Sequence, residues 1–381
     1  MKMLVLGAGL QGSACAYDLL QQADVSEVRL ADKSVGHLPE FLRPYVGGRL
    51  KLLTLDVTDK PATLKVMEGV KAVMCAVPYY FNLPLTEAAI ESGAHFSDLG
   101  GNTEIVFQQK ELQAKAKAAG VTVIPDCGLA PGMVNILAQL GISRCETVQT
   151  VKIFVGGLPQ QPEPPLNYQV VYSLEGVLDY YTTLSWVIRN GKREQVKALS
   201  EREPVMFDDI GELEAFHTAG GLSTIGFRYE GQIPTMEYKT LRYPGHAHIM
   251  EAIRDLGLLD LEPVEVNGAT VRPRDVAIAA MGPRLRKPGK RDLVAMRVLV
   301  SGSKGSKPVT HTFEMVDRHD EKTGITAMMR TTGFSLAITG LLQAHGKVTP
   351  PGVYTPDECM PGDQYVAALA ERGIKIVESV V

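Results

Sequence analysis

The sequence predicts an α/β protein in which a doubly wound parallel sheet is followed by a second, α+β domain carrying a mixed sheet. Three observations carry this reading. Gly7, Gly9 and Gly12 stand between a short apolar run and a helical segment. Short apolar runs then alternate with helical segments as far as residue 125, and beyond residue 130 the alternation gives way to longer strand-like runs. At 381 residues the chain exceeds what a single core comfortably serves, so two domains are expected.

Residues 3–6 form an apolar run suited to a strand covered on both faces, and residues 13–22 place Ala14, Ala16, Tyr17 and Leu20 at helical spacing. Between them lies the spacing G-x-G-x-x-G, which is informative only in this strand-to-helix setting. Gly7 permits a tight turn, Gly9 lets a pyrophosphate approach the backbone, and Gly12 lets the helix lie close on its strand. The helix N-terminus, with Leu10 and Gln11, then faces the phosphates. This is the expectation for a Rossmann-type dinucleotide cradle. Asp32 closes the next strand-like run, residues 27–31, about twenty positions after Gly12. A carboxylate there accepts the ribose hydroxyls and repels a 2′-phosphate, so NAD is expected over NADP, although Lys33 beside it pulls the other way.

Further strands are expected at residues 50–55, 72–76, 95–99 and 121–125. Ligands in such sheets lie outside the carboxyl ends of the strands. Asp56, Val57, Val77, Pro78, Asn82, Asp98 and Gly100 therefore join the fingerprint residues and Asp32 as the expected cofactor-binding set. Asp126 and Cys127 follow the last of these strands and face the same crevice.

In the second domain the strand-like runs are residues 148–155, 236–242 and 294–300, and GGLPQQPEPPLN, residues 156–167, reads as a long loop leading into an aromatic stretch over 168–186. Residues 335–345 form an apolar helix and 365–372 another. The expected division is 1–129 for the dinucleotide domain, 130–330 for a substrate-binding and dimerisation domain, and 331–381 for a tail that returns to cover the first domain.

Composition narrows the partners. With 45% hydrophobic and 22% charged residues and a formal net charge of -4, nothing points to nucleic acid or an anionic membrane. No transmembrane run is visible, and the first apolar stretch is short and lacks a small-residue cleavage site, so a cytoplasmic protein is expected. The five cysteines show no C-x-x-C pairing, which argues against a zinc site or a disulfide framework. No metal is expected.

With these features laid out, the stretches VLGAGLQG, AVPYYFN, SDLGGN, IPDCGLAPGM, FVGGLP, YKTLRYPGH and MMRTTGFSLAITGLL resemble the superfamily of glutamate-forming saccharopine dehydrogenases and L-lysine 6-dehydrogenases. The length and layout resemble the lysine 6-dehydrogenase branch most. The resemblance implies a substrate site between the two domains, a homodimer formed through the second domain's sheet, and a small amino acid as substrate. Its implied reaction is NAD-dependent oxidative deamination of the 6-amino group of lysine, giving a semialdehyde that cyclises to 1-piperideine-6-carboxylate. Two alternatives stand beside it: a saccharopine dehydrogenase, and a non-catalytic NAD-binding sensor whose substrate pocket is filled by side chains.

Amine oxidation sets two tasks for the substrate site. An ammonium has no lone pair with which to drive a hydride off its carbon, so a proton must leave the nitrogen first. The α-carboxylate must also be held, for which the planar fork of an arginine is suited. Within TLRYPGH, Arg242 is the candidate clamp and Tyr243 its neighbour. His246, Tyr238 and Lys239 are the candidates for receiving the proton. Asp98 and Asp126 are alternatives for holding ribose or the substrate amine. Cys127 reads as a small wall residue, since hydride transfer from an amine needs no sulfur adduct.

Overall fold

A computed structural model of the chain describes residues 1–171, 173–287 and 289–381. Six parallel strands arise early: β1 (Lys2–Leu6), β2 (Glu27–Asp32), β3 (Leu50–Thr54), β4 (Ala72–Cys75), β5 (His95–Asp98) and β6 (Thr122–Ile124). They lie side by side in the order β6-β5-β4-β1-β2-β3, so the strand order reverses beside β1, where the helix Leu10–Gln21 begins. Leu4, Leu6, Val73 and Phe96 fill one face of this sheet, while Met3, Val5, Val28 and Met74 fill the other. Apolar runs buried on both faces are what parallel strands under two layers of helix require.

The second sheet is mixed and nine-stranded. Its strands are β7 (Thr147–Pro159), β8 (Ser185–Arg189), β9 (Lys192–Val196), β10 (Glu203–Phe207), β11 (Gly211–His217), β12 (Thr235–Arg242), β15 (Asp292–Lys304), β16 (Lys307–Arg318) and β18 (Val377–Val380). A separate hairpin of β13 (Val264–Val266) and β14 (Ala269–Val271) lies between them. At the centre β7 pairs with β12 in parallel and with β15 antiparallel. The helix Met133–Ser143 covers one face, packing Met133, Ile136 and Leu137 into a core with Val151, Ile153, Met296 and Val298. No helix among the described residues is long and apolar enough to cross a membrane. The five cysteines are thiols.

Three expectations about segments need correction. Residues 156–159 are not loop but the end of β7. Their glycines sit in a crowded sheet centre, where a Cβ on Gly156 would meet the Leu241 carbonyl oxygen at 2.6 Å and one on Gly157 the Met328 methyl at 2.5 Å. The tail also does not return to the first domain alone. Its helix Ser335–Ala344 lies on β4 and β5, and β17 (Gly352–Val353) extends the first sheet beside β6, but β18 pairs with β16 of the second sheet. Nor does the chain break near residue 330: the helical turns Ala327–Met329 and Arg330–Phe334 run straight into Ser335–Ala344.

The tail is tied down by polar bonds as well as by apolar packing. Gln343 donates to the carbonyls of Phe96 (3.0 Å) and Thr122 (2.9 Å), joining the starts of β5 and β6. Arg372 forms a two-pronged pair with Asp18 at 2.7 and 2.8 Å. Gly333 meets the helix Leu10–Gln21 so closely that a Cβ would sit 2.6 Å from the Gln11 carbonyl oxygen and 2.7 Å from the Ala14 Cβ. Gly333→Ala should therefore lower stability by about 1–3 kcal/mol in urea unfolding. The control Gly36→Ala, whose added methyl meets nothing within 4 Å, should stay within about 0.5 kcal/mol of the parent.

Candidate active site

The fingerprint turn is shaped by steric exclusion. Gly7 has φ +98°, and a Cβ there would lie 2.8 Å from the Ala76 carbonyl oxygen; a Cβ on Gly12 would lie 1.8 Å from that of Gly7. Only glycine fits either place. Above Gly9, by contrast, nothing lies within 4 Å of where a Cβ would be. Gly9 caps the helix Leu10–Gln21 with no side-chain hydrogen bond and no acidic residue in the first turn, leaving its leading N–H groups for an anion. At the end of β2, Asp32 accepts from the Ala8 N–H at 2.7 Å and the Ser34 N–H at 3.0 Å. Lys33 reaches across to Asp56 at 3.1 Å.

Next to this cradle, between the two sheets, is a cavity of about 380 Å³. The first domain contributes Gln11, Val77, Pro78, Tyr79, Leu99 and Gly100; the 128–131 turn, Thr332 and Met328 close another side. The second domain supplies Tyr180, Thr218, Tyr238, Thr240 and Arg242. The Gln11 side-chain oxygen is buried here without a hydrogen-bond partner. With the open space over Gly9 and the exposed helix start, these residues fit a dinucleotide whose reactive ring reaches the cavity.

Strand alternation decides which members of the TLRYPGH region reach the cavity. Tyr238, Thr240 and Arg242 share one face of β12 and line it. Lys239 points to the other face, where it donates to Glu203 at 2.6 Å and to the Glu201 carbonyl at 2.8 Å. It has no path to a substrate amine. Burial holds the Tyr238 phenol above its ordinary pKa, so it enters as a neutral hydrogen-bonding group. Tyr243 turns away and donates to the Pro159 carbonyl at 2.9 Å.

His246 is fully buried and is not on the cavity wall. Its Nδ1 lies 3.0 Å from the Leu166 carbonyl and its Nε2 2.9 Å from the Tyr181 hydroxyl. Burial first, and the Arg242 charge second, pull its pKa down to about 3. Geometry and charge state both argue against it as a proton acceptor for substrate. Arg242 itself is buried; its Nε donates to Tyr181 at 3.2 Å, its Nη1 to the Leu241 carbonyl at 2.8 Å, and its guanidinium lies 4.8 Å over the Tyr168 ring.

Several residues expected at the crevice lie behind it. Asn82 is buried against Cys75 (3.4 Å), and Val57 packs into the apolar layer under the sheet. Cys127 points inward, its thiol donating to the Ile124 carbonyl at 3.0 Å, with burial pushing its pKa up, so it is neither a wall nor a nucleophile. Leu10 is exposed at the helix start, and Asp56 is exposed and held low by its bonds to Thr58.

Asp98 and Asp126 form a buried acidic pair outside the cavity lining. Asp98 accepts from Gln109 and from the Gly100 N–H, each at 2.7 Å. Asp126 has φ +63° and accepts from Ser223 of the second domain, while its other oxygen has no partner. Burial pushes Asp98 up to about 6 and Asp126 up to about 7, the latter helped by the neighbouring charges of Asp98 and Asp357. The sequence left Tyr180 and Thr218 out of the expected site set: the first sits in the aromatic stretch 168–186, and the second carries no motif that would single it out. Thr331, Thr332 and Gly333 read from sequence as a small polar helix start near the nicotinamide, and of these Thr332 lines the cavity.

Residues 3–124 match the family described as "Saccharopine dehydrogenase NADP binding domain", and residues 128–374 that described as "Saccharopine dehydrogenase C-terminal domain". The chain belongs to the saccharopine dehydrogenase family. A glutamate-forming, NADP-dependent saccharopine dehydrogenase of Saccharomyces cerevisiae is 25% identical over 77% of this chain and 66% of its own length. The mitochondrial alpha-aminoadipic semialdehyde synthase of Mus musculus is 26% identical over 68% of the chain but only 29% of its own length. A carboxyaminopropylagmatine dehydrogenase of Synechocystis is 21% identical over 98% of this chain and 96% of its own. Among solved structures, apo saccharopine dehydrogenase from S. cerevisiae superposes with a TM-score of 0.82 at 21% identity, covering 100% of this chain and 99% of that one. Homospermidine synthase from Legionella pneumophila, solved with NAD, gives 0.69 at 12%, covering 100% and 91%. At these identities the structural likeness speaks for the fold. The nucleotide-binding domain of this saccharopine dehydrogenase-family chain is one for a pyridine nucleotide.

The acidic pair gives a stability test. Because the folded pKa of Asp126 is above its ordinary value, its contribution favours the fold most at low pH and is lost as pH rises from about 4 through 7. Asp126→Asn should gain on wild type by on the order of 2 kcal/mol between pH 5 and pH 8. Urea titrations at the two pH values check it.

Proposed function

We propose that the chain is an NAD-dependent oxidoreductase that removes the 6-amino group of L-lysine, the product semialdehyde cyclising to 1-piperideine-6-carboxylate. The observation that carries this reading is charge: among the described residues lining the cavity, Arg242 alone is charged. One buried guanidinium suits one carboxylate. Saccharopine would bring three, and among the described residues lining the adjoining outer cavity the charged ones are Glu175 and Asp179, the latter paired with Arg274, so that lining offers further carboxylates no cation of its own. A sensor that binds NAD without turnover fits less well, because the cavity is open and not filled by side chains. Oxidation of a secondary amine is the second reading. The name of the Synechocystis relative, which spans nearly the whole chain, favours it.

A nicotinamide nucleotide in the cradle supplies the hydride acceptor. The chain's residues do the rest: Arg242 holds the carboxylate, the apolar walls Val77, Pro78, Leu129 and Val155 exclude water, and Tyr180, Tyr238 and Thr240 offer neutral hydrogen bonds to the amine end. NAD is favoured over NADP because Asp32 stands where a 2′-phosphate would lie, while Lys33 is drawn to Asp56. Asp32→Ala should narrow the preference for NAD, read from the two cofactors' KM values. Equal use of both by wild type would overturn the assignment.

Among the described residues lining the cavity there is no carboxylate or imidazole, so on this reading the amine enters already neutral. A lysine amine is neutral to the extent that pH approaches about 10.4, so kcat/KM should rise about tenfold per unit between pH 7 and 9. An inflection near pH 7 that disappears in Asp126→Asn would instead assign the proton to Asp126. The reaction itself is tested by NADH absorbance with lysine, ornithine, saccharopine and a carboxyalkyl polyamine offered separately. Turnover of saccharopine but not lysine would reject the reading.

A further inference from the structure

Gln11 stands two residues after Gly9, in the first turn of the helix Leu10–Gln21, and its side chain lines the cavity of about 380 Å³. As a residue it is partly buried, yet its side-chain oxygen is shut off from solvent and accepts no hydrogen bond. Hydroxyls close to it are engaged elsewhere: Thr332, which also lines the cavity, donates to the Met328 sulfur at 3.5 Å, and Ser13, two residues on, donates to the Ala8 carbonyl at 3.2 Å. A dry amide oxygen without a donor is costly, and a ligand that brings an N–H to it lifts that cost. The backbone that carries it is held, with Gly333 of the tail pressed against the Gln11 carbonyl and Gly12 against Gly7.

Position decides which ligand brings the donor. Tyr180, Tyr238 and Thr240, the groups offered to an amine, belong to the second domain. Gln11 belongs to the turn that receives the phosphates, and a nicotinamide ring is tethered to those phosphates through its ribose. The N–H donor on that ring is its carboxamide. We propose that Gln11 recognises the nicotinamide carboxamide, its side-chain oxygen accepting from the carboxamide N–H, so that the site selects its nucleotide by the ring substituent as well as by the phosphates. The inference rests on the cradle at Gly7 to Gly12 as the nucleotide site and is independent of which amine is oxidised. A carboxamide held in this way restrains the ring's rotation about its bond to ribose before substrate arrives.

Calorimetry without any amine tests this with three probes: NADH, its 3-acetylpyridine analogue, whose acetyl group keeps the carbonyl and lacks the N–H, and ADP-ribose, which lacks the ring. Wild type should bind the acetylpyridine analogue about tenfold more weakly than NADH, the scale of a buried acceptor left without a donor. Gln11→Met, similar in length and without the acceptor, should bring that ratio to within about twofold of one and leave the ADP-ribose Kd unchanged. A wild-type ratio near one overturns the role and needs no variant, so poor folding of Gln11→Met does not shield it. A ratio that stays near ten in the variant, or a variant that weakens ADP-ribose as much as NADH, overturns it too, since Gln11 then acts elsewhere or on the phosphate turn. If wild type binds neither NADH nor ADP-ribose, the cradle reading itself fails and the role of Gln11 falls with it.

Discussion

Arg242 is buried, and a buried charge costs several kcal/mol unless its surroundings compensate. The compensation comes from far along the chain: a phenol from the helix at 174–182, an aromatic face at Tyr168, and a carbonyl of its own strand. Those groups in turn dictate the state of others. His246 must be neutral because it shares a dry pocket with a cation, and Tyr181 must donate toward it and away from Arg242. Tyr168 and Tyr181, two members of the aromatic stretch that follows the proline-rich loop, therefore help to solvate the guanidinium.

The same economy holds at the other side of the cavity. The turn at Gly7 and Gly12 brings the start of a helix to the edge of the cavity, and the tail presses Gly333 and Thr332 against that helix from behind. Asp126 and Ser223 join the two domains at the cavity's rim through a bond to a carboxyl whose pKa is raised by burial. The fingerprint turn, the cavity with Arg242 and the domain contact thus lie side by side, so a change in one reaches its neighbours over short distances.

The first sheet was legible because its signals are local. A glycine spacing between strand and helix, with an acid at the next strand end, needs no knowledge of distant segments, and β1 to β6 fall where the apolar runs place them. The site was legible only in part. Arg242 lines the cavity, but Lys239 one residue earlier along the strand than Thr240 faces the opposite side, a difference set by register against β7 and β11. His246 looked like a base because the ordinary pKa of histidine suits that task; its environment is made by Leu166, Tyr181 and Phe216, which no local pattern connects to it. Cys127 and Asn82 failed as crevice residues for a similar reason. The loop after a strand points part of its side chains back under the sheet, and which ones depends on helices such as Ser335–Ala344 that arrive from the far end of the sequence. The glycines of residues 156–157 read as a turn because composition cannot distinguish a flexible glycine from one crowded by Leu241 and Met328.

The path of the tail has a consequence for how the protein is made. The edge of the first sheet beyond β6 is supplied by β17, roughly 230 residues later, and the second sheet is extended last by β18. At about 5–20 residues per second, translation leaves β6 and the apolar faces beside it uncovered for roughly 10–45 s after they emerge. During that interval the nascent chain exposes both an open strand edge and the surface that Leu336, Ala337 and Leu341 later bury. Until the tail arrives, that edge and that apolar surface are the parts of the nascent chain open to wrong pairing with another chain.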